Sequence, residues 1–267
     1  MTVDSDRDVL EVLLGRRAFV EVLAERGLEK PALAEELDVS RSTVDRALRD
    51  LQVADLVTRT GAGYTTTPFG TIALAHVEDV LSDLEDVDRT APLLGELPAE
   101  LPMSIEFLRG ASIHLVGGQP DRETVDRIIE RLEGTARCRT LVHMLTITDT
   151  PHYIENRVKS GDLRMEVVAG ETLLPYLQGA MGERTRDLLR TGRYELWVTS
   201  SVPYGLTIGE RHDGTSYAWL FVDHDRRELA GIIETEHPPA IEWATELFES
   251  VRDDAERVRA EDLTSGG

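Results

Sequence analysis

The apolar side chains of the first 70 residues recur at the three- and four-residue spacing of helices. A first helix is predicted from Asp8 to Arg26, with inward positions Leu10, Leu13, Leu14, Phe19, Val20 and Leu23. Pro31 suits the first turn of a second helix, whose buried side is Leu33, Ala34 and Leu37. After a break at Asp38, Ser40 is placed to cap a third helix with inward positions Val44, Leu48 and Leu51.

The pattern then changes to short runs rich in Thr, Val and Tyr. Residues 56–60 and 64–67 predict two strands joined by Gly-Ala-Gly. From Gly70 to about Leu97 a further helix carries Leu74, Val77, Leu81 and Leu84 between acidic residues. So narrow an apolar stripe suits pairing with the same helix of a second subunit, and the alternative is packing against its own domain.

Strands and helices alternate beyond the boundary "LPAELPMS". "ASIHLVGG", "CRTLVHMLTIT", "LRMEVVAG" and the runs within 193–235 are strand-like, whereas 121–134, 150–161, 171–192 and 239–260 are helical. This order predicts an α/β domain with a central mixed sheet. We therefore divide the chain into residues 1–69, a connecting and dimerisation helix at 70–98, an α/β domain at 99–260 and a flexible tail at 261–267.

The amino-acid composition indicates the salt concentration in which the protein works. The 267 residues carry a formal charge of -21, from 50 acidic and 29 basic residues, of which only Lys30 and Lys159 are lysines. An acid-rich, lysine-poor composition is typical of proteins from extreme halophiles, because concentrated salt screens the repulsion among the acidic side chains. The alternative is an ordinary acidic protein. Residues 1–69 hold nine basic and thirteen acidic residues against 20 and 37 in the remainder, so the N-terminal part is closer to neutral. No apolar run reaches the roughly 18 residues of a membrane span and no signal peptide is evident, so we expect a cytoplasmic protein.

A capped helix after a tight turn can place its first residues in the major groove of DNA. Arginine pairs with guanine edges, and serine and threonine reach bases or phosphates. The predicted double-stranded-DNA contacts are Arg41, Ser42, Thr43, Arg46 and Arg49 on this helix and Arg59 and Tyr64 on the hairpin.

The stretch "LAEELDVSRSTVDRALRDLQVADLVTRTGAGYTTTPFG" resembles the winged helix-turn-helix domain of archaeal and bacterial regulators. Its S-x-x-T-V-x-R-x-L-x-x-L run begins at Ser40, and its Y-x-x-T-x-x-G close begins at Tyr64. "SVPYGLTIGE", "FVDHDRRELAGIIET" and "EWATELFESVRDDAERV" resemble the C-terminal domain of haloarchaeal and methanogen winged-helix regulators, first named in a methanogenesis regulator. The resemblance implies a transcription regulator whose second domain senses a small molecule or mediates assembly. From the apolar stripe of the 70–98 helix we predict that it acts as a homodimer.

We expect no enzyme. The sequence contains no P-loop, no His-Glu-x-x-His, no Gly-x-Ser-x-Gly and no His-x-Lys of the phospholipase D type. The rival hypotheses are an enzyme tethered to DNA by its N-terminal domain, and an interaction module that uses this domain as a dimer platform.

Candidates for a ligand site cluster near predicted strand ends, where α/β sheets form crevices. They are Tyr204 and Gly205 in "SVPYGL", with Trp197, Thr146 and Thr148, and the alternative is a turn whose aromatic ring packs on the sheet.

Other residues with potential chemistry favour structural roles. The cluster Asp223 to Asp225 suits a hairpin turn better than a metal, and His114 and His143 suit packed positions better than ligands. Cys138, between two arginines, is either a redox sensor or, as we favour, a buried inert thiol. We predict no cofactor and no metal.

Overall fold

The computed structural model describes residues 3–97, 103–118, 122–144, 150–224 and 228–263. The chain divides into two compact units, 1–84 and 85–267. In the described part of the chain, no helix combines the length and apolarity that crossing a bilayer requires.

The N-terminal unit consists of helices and one β-hairpin. Its elements are α1 Val3–Gly15, α2 Arg17–Glu25, α3 Lys30–Glu36, α4 Arg41–Val53, β1 Val57–Thr60, β2 Gly63–Thr66 and the first part of α5 Pro68–Leu94. The strands β1 and β2 pair antiparallel, from Val57 opposite Thr66 to Thr60 opposite Gly63. The predicted order of helix, turn, helix and hairpin is therefore present.

The core of this unit contains most of the predicted apolar positions. Buried side chains include Leu13, Phe19, Val20, Leu23, Leu33, Val44, Leu48 and Leu51. The single helix predicted for 8–26 is two helices, because the chain breaks after Gly15 and Arg16 leaves helical geometry with ψ of 17°. Leu10 and Leu14 on α1 are 48% and 47% exposed, so the break leaves one apolar edge of α1 uncovered.

The turn between α3 and α4 sets the direction of α4. Asp38 adopts a left-handed φ of 50°, and the N–H of Val39 bonds back to the carbonyl of Ala34 at 3.0 Å. The next residue, Ser40, caps α4 as predicted, since its Oγ accepts from the N–H of Thr43 at 3.2 Å. Helix α4 thus begins at a fixed point immediately after a sharp change of direction.

The hairpin is tied to the helices through Leu28. The backbones of Leu28 and Tyr64 exchange two hydrogen bonds of 2.9 and 2.8 Å. Gly63 allows this approach, because it has a φ of 113° and a Cβ there would lie 2.5 Å from the Leu28 carbonyl.

Helix α5 begins with a Thr-x-x-Gly cap. The N–H of Gly70 donates to Oγ1 of Thr67 at 2.9 Å, and the Thr67 hydroxyl donates to the Asp55 carbonyl at 2.6 Å. A Cβ on Gly70 would lie 2.0 Å from the carbonyl oxygen of Leu56. The Y-x-x-T-x-x-G close therefore has a structural purpose, since it joins the hairpin to α5.

The predicted stripe on α5 does not form one surface. Leu74 is buried in the core of the N-terminal unit and Val77 packs against it, which matches the alternative interpretation for these two residues. Leu81 is half-buried, and Leu84 joins another apolar stripe, which is exposed: Phe69, Ile72, Val80 and Leu84 are exposed by 48%, 60%, 56% and 57%. Further along α5, Leu93 belongs to a core of the C-terminal unit.

The C-terminal unit is built on an eight-stranded sheet. Its helices are α6 Arg122–Glu133, α7 Thr150–Ser160, α8 Leu174–Gln178, α9 Gly182–Arg190 and α10 Pro238–Asp253. Its strands are β3 Ser112–Gly118, β4 Thr135–Val142, β5 Arg164–Gly170, β6 Tyr194–Thr199, β7 Gly205–Arg211, β8 Ser216–His224, β9 Glu228–Thr235 and β10 Glu256–Val258. Their order is β10-β6-β5-β4-β7-β8-β9-β3.

The sheet is mixed, as predicted, because β4, β5 and β6 run parallel and the other neighbours run antiparallel. Each face carries its own apolar core. One core contains Leu206, Ile208 and Leu220 with Phe248 of α10. The other contains Val167 and Trp219 with Leu132 of α6 and Leu188 of α9.

The C-terminal end differs from the prediction in two ways. Helix α10 ends at Asp253 rather than near residue 260, since Asp253 and Asp254 place acidic groups at the end of a helix, where the dipole disfavours them. The following residues form β10, which adds to the sheet edge beside β6. Leu263, assigned to the flexible tail, is 2% exposed, and its carbonyl accepts from Arg186 at 2.7 Å. Residues 264–267 of that tail lie outside the described residues.

Candidate nucleic-acid interface and ligand cavity

Helix α4 presents a polar face opposite its apolar one. Val44, Ala47, Leu48 and Leu51 are buried, while Arg41, Ser42, Arg46 and Arg49 are exposed and Thr43 is half-buried. The cap also orders the hydroxyls at the start of the helix, because Oγ of Ser40 lies 2.8 Å from Oγ of Ser42 and 2.9 Å from Oγ1 of Thr43. The structure thus brings five of the seven predicted DNA contacts to one helix face.

The arginines of this face are not neutralised by acidic neighbours. Within the residues that the structure describes, Arg41, Arg46 and Arg49 form no ion pair. The two acidic residues of α4 are engaged elsewhere, since Asp50 pairs with Arg16 at 3.0 Å and Asp45 with Lys30 at 2.6 Å. The hydrogen bond from Lys30 holds the pKa of the Asp45 carboxyl below its usual value, and Asp45 raises the pKa of Lys30. The helix therefore exposes three arginines that form no ion pair in the described part of the chain, and after Lys30 the charge of Arg49 also lowers the pKa of Asp45.

The hairpin contributes one exposed cation and one buried ring. Arg59 is exposed, and its guanidinium lies 5.7 Å from the ring centroid of Tyr64. Tyr64 itself is 5% exposed and belongs to the core of the unit, with Lys30 5.9 Å from its centroid. The prediction that Tyr64 touches DNA does not fit this burial, because the backbone bonds to Leu28 draw its ring inward. The ring of Tyr64 instead stabilises Arg59 and Lys30 through cation–π contacts.

The C-terminal unit contains a partly open cavity of about 240 Å³ between one face of the sheet and α6 to α9. The side chains alternate along each strand, so every second residue faces the cavity. They are Cys138, Thr140 and Val142 on β4, Met165, Val167 and Ala169 on β5, Gly205 and Thr207 on β7, and Trp219, Phe221 and Asp223 on β8. The helices supply mainly apolar groups, among them Leu132, Ile154, Leu177, Met181 and Leu188.

One polar pair lies where two of these strands end. His143 follows β4 and Asp223 stands near the end of β8, and Nε2 of His143 lies 2.9 Å from Oδ1 of Asp223. Both side chains are largely buried, with exposures of 8% and 10%. Nδ1 of His143 is buried and has no hydrogen-bond partner among the described residues. It is the one buried side-chain nitrogen or oxygen of the described cavity lining that lacks a partner.

Four other polar side chains of the lining have partners, namely Arg184, Glu155, Thr140 and Thr207. Arg184 donates to Glu155 at 2.7 Å and lies 2.7 Å from Nδ1 of His152. Lys159 pairs with Glu155 at 2.7 Å, and Lys159, then Arg184, hold the pKa of that carboxyl below its usual value. Thr140 and Thr207 bond to each other at 2.9 Å.

The predicted ligand residues are divided between the two faces of the sheet. Gly205 lines the cavity, and a Cβ there would lie 3.0 Å from Cβ of Phe221. Tyr204 and Trp197 belong to the core on the opposite face. Burial raises the pKa of Tyr204, and its hydroxyl has no partner among the described residues. Thr146 and Thr148 lie outside the described residues.

The remaining candidates take structural roles. Cys138 is 1% exposed, and burial raises the pKa of its thiol to about 12, in agreement with the inert thiol that we favoured. Of the cluster 223–225, Asp223 pairs with His143 and His224 lies 2.8 Å from Glu96, while Asp225 lies outside the described residues. His114 is 3.4 Å from Glu234. Sequence reasoning missed the His143–Asp223 pair, because 80 residues separate the two positions and only the topology brings them together.

Comparison with known families gives two matches that together span most of the chain. Residues 122–254 match the family of the methanogenesis regulatory protein FilR1, middle domain, and residues 4–89 match the HVO_A0261 N-terminal domain. No curated protein matches the chain significantly.

Solved structures show only distant similarity. TrmBL2, an archaeal chromatin protein with a novel mode of DNA binding, is 17% identical over 95% of this chain and 99% of its own, with a TM-score of 0.43. Nuc from Salmonella typhimurium, a phospholipase D family member, is 13% identical over 56% of this chain and 99% of its own, with a TM-score of 0.39. Phosphatidylserine synthase from Haemophilus influenzae is 14% identical over 57% and 41%, with a TM-score of 0.43.

Proposed function

We propose that this chain, whose residues 4–89 and 122–254 match two family models, one of them named for a methanogenesis regulatory protein, is a DNA-binding transcription regulator of archaea. It works as a dimer, and a small molecule bound in the C-terminal unit modulates it. The observation that carries the proposal is the face of α4, where Arg41, Arg46 and Arg49 stand exposed without ion pairs in a protein of charge -21.

The chemistry of that face suits the major groove. Arginine donates two hydrogen bonds to O6 and N7 of guanine, and the serine and threonine hydroxyls reach bases or phosphates. The first turn of α4 carries Arg41, Ser42 and Thr43, and Arg46 and Arg49 follow at helical spacing on the same side. A recognition helix reads bases with its N-terminal residues, so this order fits direct readout.

The acidic composition shapes how such a protein recognises DNA. Each phosphate that a protein neutralises makes the logarithm of affinity fall with the logarithm of salt by a slope of about 0.9. A halophilic cytoplasm therefore suppresses nonspecific attraction to DNA. Base contacts by Arg41, Thr43 and Arg46 then provide a large share of the specificity.

The exposed stripe of Phe69, Ile72, Val80 and Leu84 supports dimerisation through α5. Two copies joined along this stripe place two α4 helices on one duplex, and half-site spacing then follows from the dimer. An effector that prefers one arrangement of the dimer shifts its population and so changes operator affinity.

The rival hypothesis of a DNA-tethered enzyme has less support. The cavity contains a His143–Asp223 pair, yet no serine, threonine or cysteine of the described residues bonds to this histidine as a nucleophile. The sequence also lacks the His-x-Lys of phospholipase D chemistry.

The proposal is tested by binding to the DNA upstream of the protein's own gene, measured by fluorescence anisotropy at the working salt concentration. We expect Arg46→Ala to weaken specific binding by about 10- to 100-fold, since a bidentate guanine contact contributes about 1–3 kcal/mol. The matched control is Arg122→Ala, which removes an arginine that is 93% exposed in the C-terminal unit. Equal affinity and equal sequence preference in both variants would remove α4 from the interface.

A further inference from the structure

We propose that the cavity of the C-terminal unit binds an uncharged, largely apolar molecule about the size of two fused rings, which donates one hydrogen bond from a hydroxyl to Nδ1 of His143. This inference rests on the proposed role of the unit as a small-molecule sensor, and it names the chemistry of the ligand.

The size of the ligand follows from the volume. An apolar cavity of about 150 Å³ in another protein accepts benzene. The cavity here is about 240 Å³, so it accommodates a bicyclic rather than a monocyclic molecule.

The apolar character follows from the lining. Trp219, Phe221 and Tyr194 bring aromatic rings to the cavity, and Met144, Met165 and Met181 bring flexible thioethers. Aromatic rings prefer offset or edge-to-face partners, and methionine sulfur contacts ring edges favourably. An aromatic ligand satisfies both preferences.

The hydroxyl of the ligand is inferred from Nδ1 of His143, the buried atom of the described lining that lacks a hydrogen-bond partner. Nε2 of His143 lies 2.9 Å from Oδ1 of Asp223, and because a carboxylate oxygen accepts, we assign Nε2 as the ring nitrogen that carries the proton. Nδ1 then has a lone pair and no proton, so it can only accept. Nδ1 is buried without a partner among the described residues, so a ligand hydroxyl that donates to it supplies the missing hydrogen bond.

The absence of charge follows from the pairing of the other groups. Arg184 is a cation at the cavity and already forms an ion pair with Glu155 at 2.7 Å. The carboxylate of Asp223 stands directly behind His143, so it opposes an anionic ligand at the same place. In the described lining, no cationic side chain is left to bind a carboxylate or phosphate.

The inference is tested with three probes of nearly equal shape on the full-length protein. They are 2-naphthol, 2-methylnaphthalene and 2-naphthoate, whose affinities are measured by isothermal titration without DNA. We expect 2-naphthol to bind about tenfold tighter than 2-methylnaphthalene, because one buried hydrogen bond distinguishes them. We expect 2-naphthoate to bind weakest.

The location is read from the chain's single cysteine, since Cys138 lines the cavity. Cys138 should react only slowly with methyl methanethiosulfonate because its thiol is buried, and bound 2-naphthol should slow this reaction further. In His143→Phe the preference for 2-naphthol over 2-methylnaphthalene should disappear. Tyr204→Phe is the matched control, because it removes a buried, unpartnered hydroxyl on the opposite face of the sheet and should leave the preference unchanged.

The wild-type comparison decides the proposal even where His143→Phe fails to fold. Equal binding of 2-naphthol and 2-methylnaphthalene would refute the hydrogen bond from a ligand hydroxyl. Tightest binding of 2-naphthoate would refute the preference for an uncharged ligand. Failure of all three probes to bind or to protect Cys138 overturns the cavity as the site. These outcomes are independent of DNA binding, so they leave the function of α4 to its own test.

Discussion

The exposed stripe on α5 makes a quantitative prediction about assembly. Replacing Val80 and Leu84 by glutamate should separate the dimer that we propose. Both side chains are more than half exposed, at 56% and 57%, so roughly half of the burial energy of each remains available for a second subunit. Burying a whole Val or Leu side chain contributes about 1.5–3 kcal/mol, which leaves about 0.8–1.5 kcal/mol for each.

Four such side chains, two from each subunit, contribute about 3–6 kcal/mol to the dimer. Their loss raises the dissociation constant by about 10²- to 10⁴-fold, and the introduced carboxylates add repulsion. The assay is sedimentation equilibrium in concentrated potassium chloride. The control is Val53→Glu, which alters an apolar residue that is 85% exposed outside the stripe. A double variant that sediments as the wild-type dimer would refute the role of the stripe.

Three further predictions concern the fold that holds these surfaces. Ser40→Ala should destabilise the N-terminal unit by about 1 kcal/mol in thermal unfolding, because the cap to the Thr43 N–H is lost, and an unchanged midpoint would contradict this. Gly70→Ala should destabilise it by about 1–3 kcal/mol or more in urea, since the new Cβ meets the Leu56 carbonyl; an unchanged or raised urea midpoint would count against this close approach. Cys138, with a pKa of about 12, should react with iodoacetamide far more slowly than a free thiol at pH 8, and rapid alkylation would show that it is accessible.

The N-terminal unit was predictable because local patterns determine it. The capping position of Ser40 and the inward positions of α4 depend on spacing within one helix, and all of them are confirmed. The break at Arg16 was missed because the apolar spacing continues through it. The burial of Tyr64 was missed because it depends on a backbone bridge to Leu28, 36 residues earlier in the chain.

For the C-terminal unit, the sequence predicts the fold class but not the residues that line the cavity. Alternating strands and helices predict the mixed sheet, which is confirmed. Which face a strand residue occupies depends on register and neighbours, so Tyr204 and Trp197 were placed near a ligand although they pack in the core on the other face. The pairing of His143 with Asp223 arises only because β4 and β8 end at the same edge of the sheet.

We propose that the first turn of α4 enters the DNA groove, and a single engineered cysteine tests this position most directly. Because Cys138 is buried, Ser42→Cys supplies the accessible thiol to which an iron chelate that cleaves DNA can be attached. We expect cleavage of the operator within a narrow window in each half-site, and no cleavage from the same chelate at Ser200→Cys, an exposed position of the C-terminal unit. Cleavage from residue 200 with none from residue 42 would show that α4 does not enter the groove.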